Sequence, residues 1–217
     1  MTQSSPQPLF WDEVVANAQK GHDSSEKRPF FSLAPMEAVT DTIFRRVVEK
    51  AGAPDVYFTE FTNASSMIHH KAKFSVQGRL AVAENETQPV AQIWGSRPED
   101  IAGAAKLLPD MGYRAVDLNM GCPDPTVVKN GAGSDLIRHQ DLAAQLVSAA
   151  KESGLPVSVK TRLGFYDPME FRDWLPVILQ QDVAVLTVHL RSRKEMSKAP
   201  AHFELIDEIV AMRDAIA

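Results

Sequence analysis

From Phe30 onward, short runs of apolar and β-branched residues alternate with longer stretches in which apolar positions recur every three to four residues. The short runs predict strands at 30–35 (FFSLAP), 56–60 (VYFTE), 89–94 (PVAQIW), 115–119 (AVDLN), 157–161 (VSVKT) and 184–189 (AVLTVH). The longer stretches predict helices at about 40–51, 97–109, 139–153, 168–180 and 203–215. Two helix starts have local support. Thr40 and Asp41 can cap the first, with Gly52 ending it in a left-handed conformation, and Pro98 with Glu99 and Asp100 suits the opening turn of the second. Residues 1–28 read as an N-terminal extension. In it Leu9, Val14, Val15 and Ala18 predict a short amphipathic helix, followed by the polar loop GHDSSEKR.

Strands alternating with helices imply βαβ units and a parallel sheet, and the continuously apolar AVLTV suits a sheet covered on both faces. Two α/β architectures remain, a doubly wound sheet and a (β/α)₈ TIM barrel. Polar residues gather at the strands' C-terminal ends: Met36 and Glu37, Glu60, Gln92 and Trp94, Asn119, Lys160 and Arg162, His189 and Arg191. In a barrel those ends converge on one mouth, whereas in a doubly wound sheet only a few meet at the switch point. No GxGxxG follows the first strand. The barrel is therefore expected over 29–217, incomplete, with about six of its eight β/α units.

Composition narrows the function classes. The 217 residues are 44% hydrophobic and 24% charged, ordinary for a soluble globular protein. A formal net charge of -5 provides no global basic field, so any nucleic-acid contact must come from a local patch or from elsewhere. One cysteine precludes an internal disulfide and fits a reducing cytosol; no signal peptide or membrane-spanning run is legible, so a cytoplasmic protein is expected.

Cys122 lies in DLNMGCPDPTVVKNGAGSDL, where glycines and prolines describe a shaped loop at a strand end. A lone cysteine is often an inert small hydrophobe, but this setting favours a reactive or proton-donating role. An ordinary thiol is mostly protonated at neutral pH, which suits a general acid. Lys160 and Arg162 share a face if their strand runs on to Arg162. A lysine within the apolar alternation of Val157 and Val159 calls for an anionic or polar partner. Gln92 and His189 are weaker signals alone; with Lys160 they line a concave site of amide, ammonium and imidazole donors for an electron-rich ring. No metal site is suggested. His69, His70, Lys71 and Lys73 form a small basic cluster, read as a solvated loop in preference to an RNA phosphate contact.

The text LAPMEAVTDTIFR (33–45), TEFTNA (59–64), QPVAQIWGSRPED (88–100), VDLNMGCPDPTVVKNGAGSDL (116–136), VSVKTRLGF (157–165) and TVHLRSR (187–193) resembles the tRNA-dihydrouridine synthases. The DLNMGCP block is the most specific part. That resemblance implies an FMN-binding barrel followed by a helical domain that helps grip tRNA. It also implies a flavin reduced by NADPH, hydride delivery to C6 of uridine, and a cysteine that protonates C5. Position by position, Cys122 matches that acid, Pro35 and Met36 the residues packed along the flavin, and Gln92, Lys160 and His189 its polar ligands. Asn119 and Arg162 match positions near the substrate base. A monomer is expected. Leu190 stands where family members commonly carry glycine, and the last two strands and the helical domain fall outside the 217 residues. Two alternatives stand beside this reading: another FMN barrel acting on a small molecule, and a non-catalytic remnant that binds RNA.

Overall fold

The computed structural model describes residues 10–20, 29–69 and 76–216. The expected loop at 21–28 lies outside these residues, as do Leu9, His70, Lys71 and Lys73. Seven strand segments occur: β1 (Ser32–Leu33), β2 (Val56–Tyr57), β3 (Thr62–Asn63), β4 (Ala91–Trp94), β5 (Val116–Met120), β6 (Val157–Arg162) and β7 (Val185–His189). β1 pairs with β2, and β3 to β7 form a second ladder in chain order. A bridge between Phe58 and Val90 links the two, and every pairing is parallel. Strands laid down in chain order with no reversal form the wall of a barrel, because a doubly wound sheet needs a switch point. The fold is an incomplete (β/α)₈ barrel. Of the expected strand at 56–60 only Val56–Tyr57 (β2) and the Phe58 bridge pair, and a further short strand, β3, follows β2 after four residues.

The helices are α1 (Phe10–Gln19), α2 (Thr42–Gly52), α3 (Ala64–Ile68), α4 (Pro98–Leu107), α5 (Pro125–Lys129), α6 (Gln140–Lys151), α7 (Phe171–Leu179) and α8 (Ile206–Ile216). Asp41 caps α2 by accepting from the Phe44 N–H. Gly52 does not adopt the left-handed conformation expected of it. It is the last helical residue, and α2 stops because Ala53 turns extended ahead of Pro54. The short helices α3 and α5 carry too few residues for a hydrophobic period to announce them.

Alternation along the strands sorts the side chains into two environments. Val116, Leu118, Met120, Val157 and Val159 pack outward with Ile101, Leu146, Trp174 and Ile178 of the covering helices. Inside, Val56, Phe58, Val90 and Ala115 pack against Phe10 and Trp11 of α1. An ion pair between Glu13 and Arg114 fastens α1 at the strands' N-terminal ends. The lower interior is thus apolar and plugged, leaving the polar residues to the opposite end. At the two edges of the wall the helices are less covered: α2 exposes Ile43, Phe44 and Val47, and α8 exposes Ile206 and Val210.

One buried ion pair ties α2 to the chain before β4. The Arg45 guanidinium donates to Glu86 (2.6 Å) and to the carbonyls of Thr40 and Ala81, while the Thr42 hydroxyl and the Ala83 N–H also donate to Glu86. Removing one member strands the other without water. Glu86→Ala is expected to cost about 3–5 kcal/mol of stability, read by denaturant unfolding.

Candidate active site

The Cys122 turn is built by its neighbours. The Asn119 side-chain carbonyl accepts from the N–H groups of Gly121 (3.1 Å) and Cys122 (2.9 Å), bending the chain as β5 ends. The Cys122 carbonyl accepts from the Ser134 N–H at 3.0 Å. Gly133 lies against it with φ +59, and a Cβ there would sit 2.8 Å from that carbonyl and from Val127 Cγ1. The NGAGS run is therefore glycine-rich because it passes beneath the thiol's own backbone. From the β6 side, Arg162 donates to the Gly121 carbonyl at 2.7 Å and to the carbonyls of Ser192 and Met196. Burial pushes the Cys122 thiol up, and the nearby Asp124 and Glu37 carboxylates oppose its ionisation too. The Asp124 backbone N–H and the Arg162 charge pull the other way without winning. Cys122 is a held, protonated thiol.

Beside it stands a layer of buried polar side chains. Gln92 donates to Asp117 (2.6 Å), Ser158 donates to the other Asp117 oxygen (2.5 Å), and Asn119 donates to the Gln92 carbonyl (3.0 Å). Lys160 is in register with Asn119, and Arg162 with His189. The Lys160 ammonium makes no hydrogen bond among the described residues, and burial holds its pKa below the ordinary range despite the Asp117 charge. A partly buried cation that makes no hydrogen bond among the described residues is suited to an electron-rich ligand. Among the described residues no group of three or more metal-binding side chains occurs.

A scan against family models matches residues 32–216 to the dihydrouridine synthase model. The chain belongs to the dihydrouridine synthase family. Among its relatives are a probable tRNA-dihydrouridine synthase of Staphylococcus epidermidis, 54% identical over 194 residues, and a probable tRNA-dihydrouridine synthase 2 of Bacillus subtilis, 55% identical over 190. A probable tRNA-dihydrouridine synthase of Staphylococcus aureus is 54% identical over 208 residues. These matches cover 89%, 88% and 96% of this chain and 60%, 58% and 60% of the relatives. The chain spans about 60% of the length of the curated relatives it matches.

In this chain of the dihydrouridine synthase family, the structure brings Gln92, Asn119, Cys122, Lys160, Arg162 and His189 to one mouth. β6 does run on to Arg162, so Lys160 and Arg162 share its inner face. Pro35 and Met36 lie in the β1–α2 turn and make no hydrogen bond with the other six. That turn is shaped by Thr40, which bonds the Met36 backbone at both ends, and by Glu60, which accepts from the Ala38 N–H. Three guanidinium contacts hold Arg162 to backbone carbonyls, so it braces the Cys122 turn whatever else it touches. Sequence reasoning missed Asp117 and Ser158. The available signal was a carboxylate within the otherwise apolar strand AVDLN.

His189 accepts a hydrogen bond from Arg191 (2.9 Å), which makes Nε2 the bare nitrogen and Nδ1 the protonated one. Burial and the Arg162, Lys160 and Arg191 charges push its pKa from 6.5 down to about 4. Its neutral form contributes stability above 6.5, and that contribution is lost as pH falls from 6.5 towards 4. In an NMR titration the His189 ring is expected to stay neutral at pH values where His202 is already charged. His202 is bonded to Glu195 and Glu204 and shifts upward. A His189 midpoint at or above the ordinary value would overturn this placement.

Proposed function

We propose that this chain is the cofactor-binding barrel part of an FMN-dependent tRNA-dihydrouridine synthase, saturating the 5,6 double bond of uridine in tRNA at the expense of NADPH. The observation that carries the reading is the pairing, at one mouth, of a thiol held protonated with a half-buried lysine that makes no hydrogen bond among the described residues. The donor set fits a flavin: Lys160 would face its anionic edge, Gln92 and His189 offer N–H donors, and Pro35 and Met36 supply apolar surface. When bound and reduced by NADPH, FMN supplies the hydride that uridine C6 receives. Every other part of the chemistry falls to this chain. Cys122 holds a proton on Sγ at neutral pH and delivers it to C5. Asn119 and Arg162 position the base, and the turn they fix keeps the thiol in place. A uridine stacked in folded tRNA must be drawn out before both faces of its double bond can be reached.

The partner in this reading is tRNA, met in the cytoplasm by a monomer. No described helix is long and apolar enough to cross a membrane. The test is direct. The chain is incubated with FMN, NADPH and unmodified tRNA transcript, and nucleosides are analysed by mass spectrometry. Dihydrouridine formed only with all three present is the expected result. Oxidation of NADPH by a free enone, or reduction of the bound flavin by a free dihydropyrimidine, would favour a small-molecule flavoenzyme instead.

A further inference from the structure

We infer that Asp117, in the site proposed above, is a positioning residue that fixes the orientation of the Gln92 and Asn119 amides and thereby holds the Cys122 turn. Asp117 is fully buried, and its two oxygens accept from Ser158 (2.5 Å) and from Gln92 (2.6 Å). The Gln92 carbonyl then accepts from Asn119 (3.0 Å), whose own carbonyl accepts from the N–H groups of Gly121 (3.1 Å) and Cys122 (2.9 Å). Each end of this relay is chemically unambiguous. A carboxylate can only accept, and a backbone N–H can only donate. The two amides between them therefore have one consistent orientation, and reversing either sets donor against donor.

Burying a carboxylate is costly unless it is well bonded, and apolar packing alone would not retain one here. Desolvation raises the Asp117 pKa to about 6, with Ser158, Gln92 and the Lys160 charge resisting, so the group is mostly ionised at neutral pH. This carboxylate lies two strand positions before Asn119, on the same inner face, and it touches neither the thiol nor the substrate's expected place. Its influence on the chemistry passes through hydrogen bonds alone.

Asp117→Leu removes the acceptor that fixes Gln92, whereas asparagine would keep a carbonyl for Gln92 and an NH₂ for the Ser158 hydroxyl. With Gln92 no longer held, Asn119 loses its fixed acceptor and its grip on the Gly121 and Cys122 N–H groups loosens. The turn should open, lowering the thiol's pKa towards its ordinary value. Alkylation of Cys122 in the flavin-free chain is expected to become about fivefold faster at pH 8, with its pH midpoint displaced downward. Asp117→Leu combined with Gln92→Glu restores a fixed acceptor for Asn119 at unchanged net charge. That double variant should return the alkylation profile to within about twofold of the parent. If the single variant unfolds, recovery of a folded chain and a parental profile by the double variant carries the same meaning. An unchanged profile in a folded Asp117→Leu chain overturns the inference, as does a double variant no closer to the parent than the single. Alkylation is read without flavin or tRNA, so a chain that binds no flavin would sink the proposed function and leave this test intact.

Discussion

Cys122→Ala is expected to lower the rate of dihydrouridine formation by about 10²–10⁴-fold, the range for removal of a positioned general acid. Retention of flavin should be unaffected, because the thiol lies on the turn after β5 and the proposed polar flavin ligands Gln92, Lys160 and His189 lie on β4, β6 and β7. The intact enzyme's rate should be flat through neutrality and fall in alkali as the thiol ionises. The sign follows from burial and the two nearby carboxylates, which keep the proton on sulfur above the pH at which an ordinary cysteine loses it. Single-turnover measurements on tRNA across pH would show both effects. A variant retaining near-parental rates would assign the proton to another group.

Lys160→Met should weaken FMN binding by about 10- to 100-fold, since a hydrogen bond from a charged donor is worth about 1.5–3 kcal/mol. The same substitution should stabilise the flavin-free chain. Its ammonium is partly desolvated and makes no hydrogen bond among the described residues, and methionine fills similar space without the desolvation cost. A flavin titration by fluorescence quenching and a denaturant melt of the flavin-free protein read the two signs separately. Loss of stability together with loss of binding would make Lys160 a structural residue, contrary to this account.

Much of the architecture is legible in the text because its signals are local. Six strand positions and six helices, α1 among them, follow from periodicity, and the polar residues at strand ends locate the mouth before any pairing is known. Cys122 is recognisable for the same reason, since the glycines that let the chain pass beneath it lie within a few residues of it. What escapes is set by contacts distant in sequence. Phe10 and Trp11 plug the lower barrel by meeting Val56, Phe58, Val90 and Ala115, and nothing near residue 10 announces those partners. Asp117 makes sense only once Gln92 and Ser158 are seen on the flanking strands at 2.6 and 2.5 Å. Gly52 invites a left-handed helix end, yet Pro54 two residues on already stops the helix by another route. Arg162 reads as a free cation in the sequence, and the fold spends its guanidinium on three carbonyls.

The central claim is that the mouth lined by Gln92, Lys160 and His189 holds FMN. The most direct measurement is the visible absorbance of the purified chain after mixing with FMN and desalting. The account predicts a retained flavin band at one equivalent per chain, diminished in Lys160→Met. A folded chain that emerges colourless, with the same melting curve in the presence and absence of FMN, would contradict it.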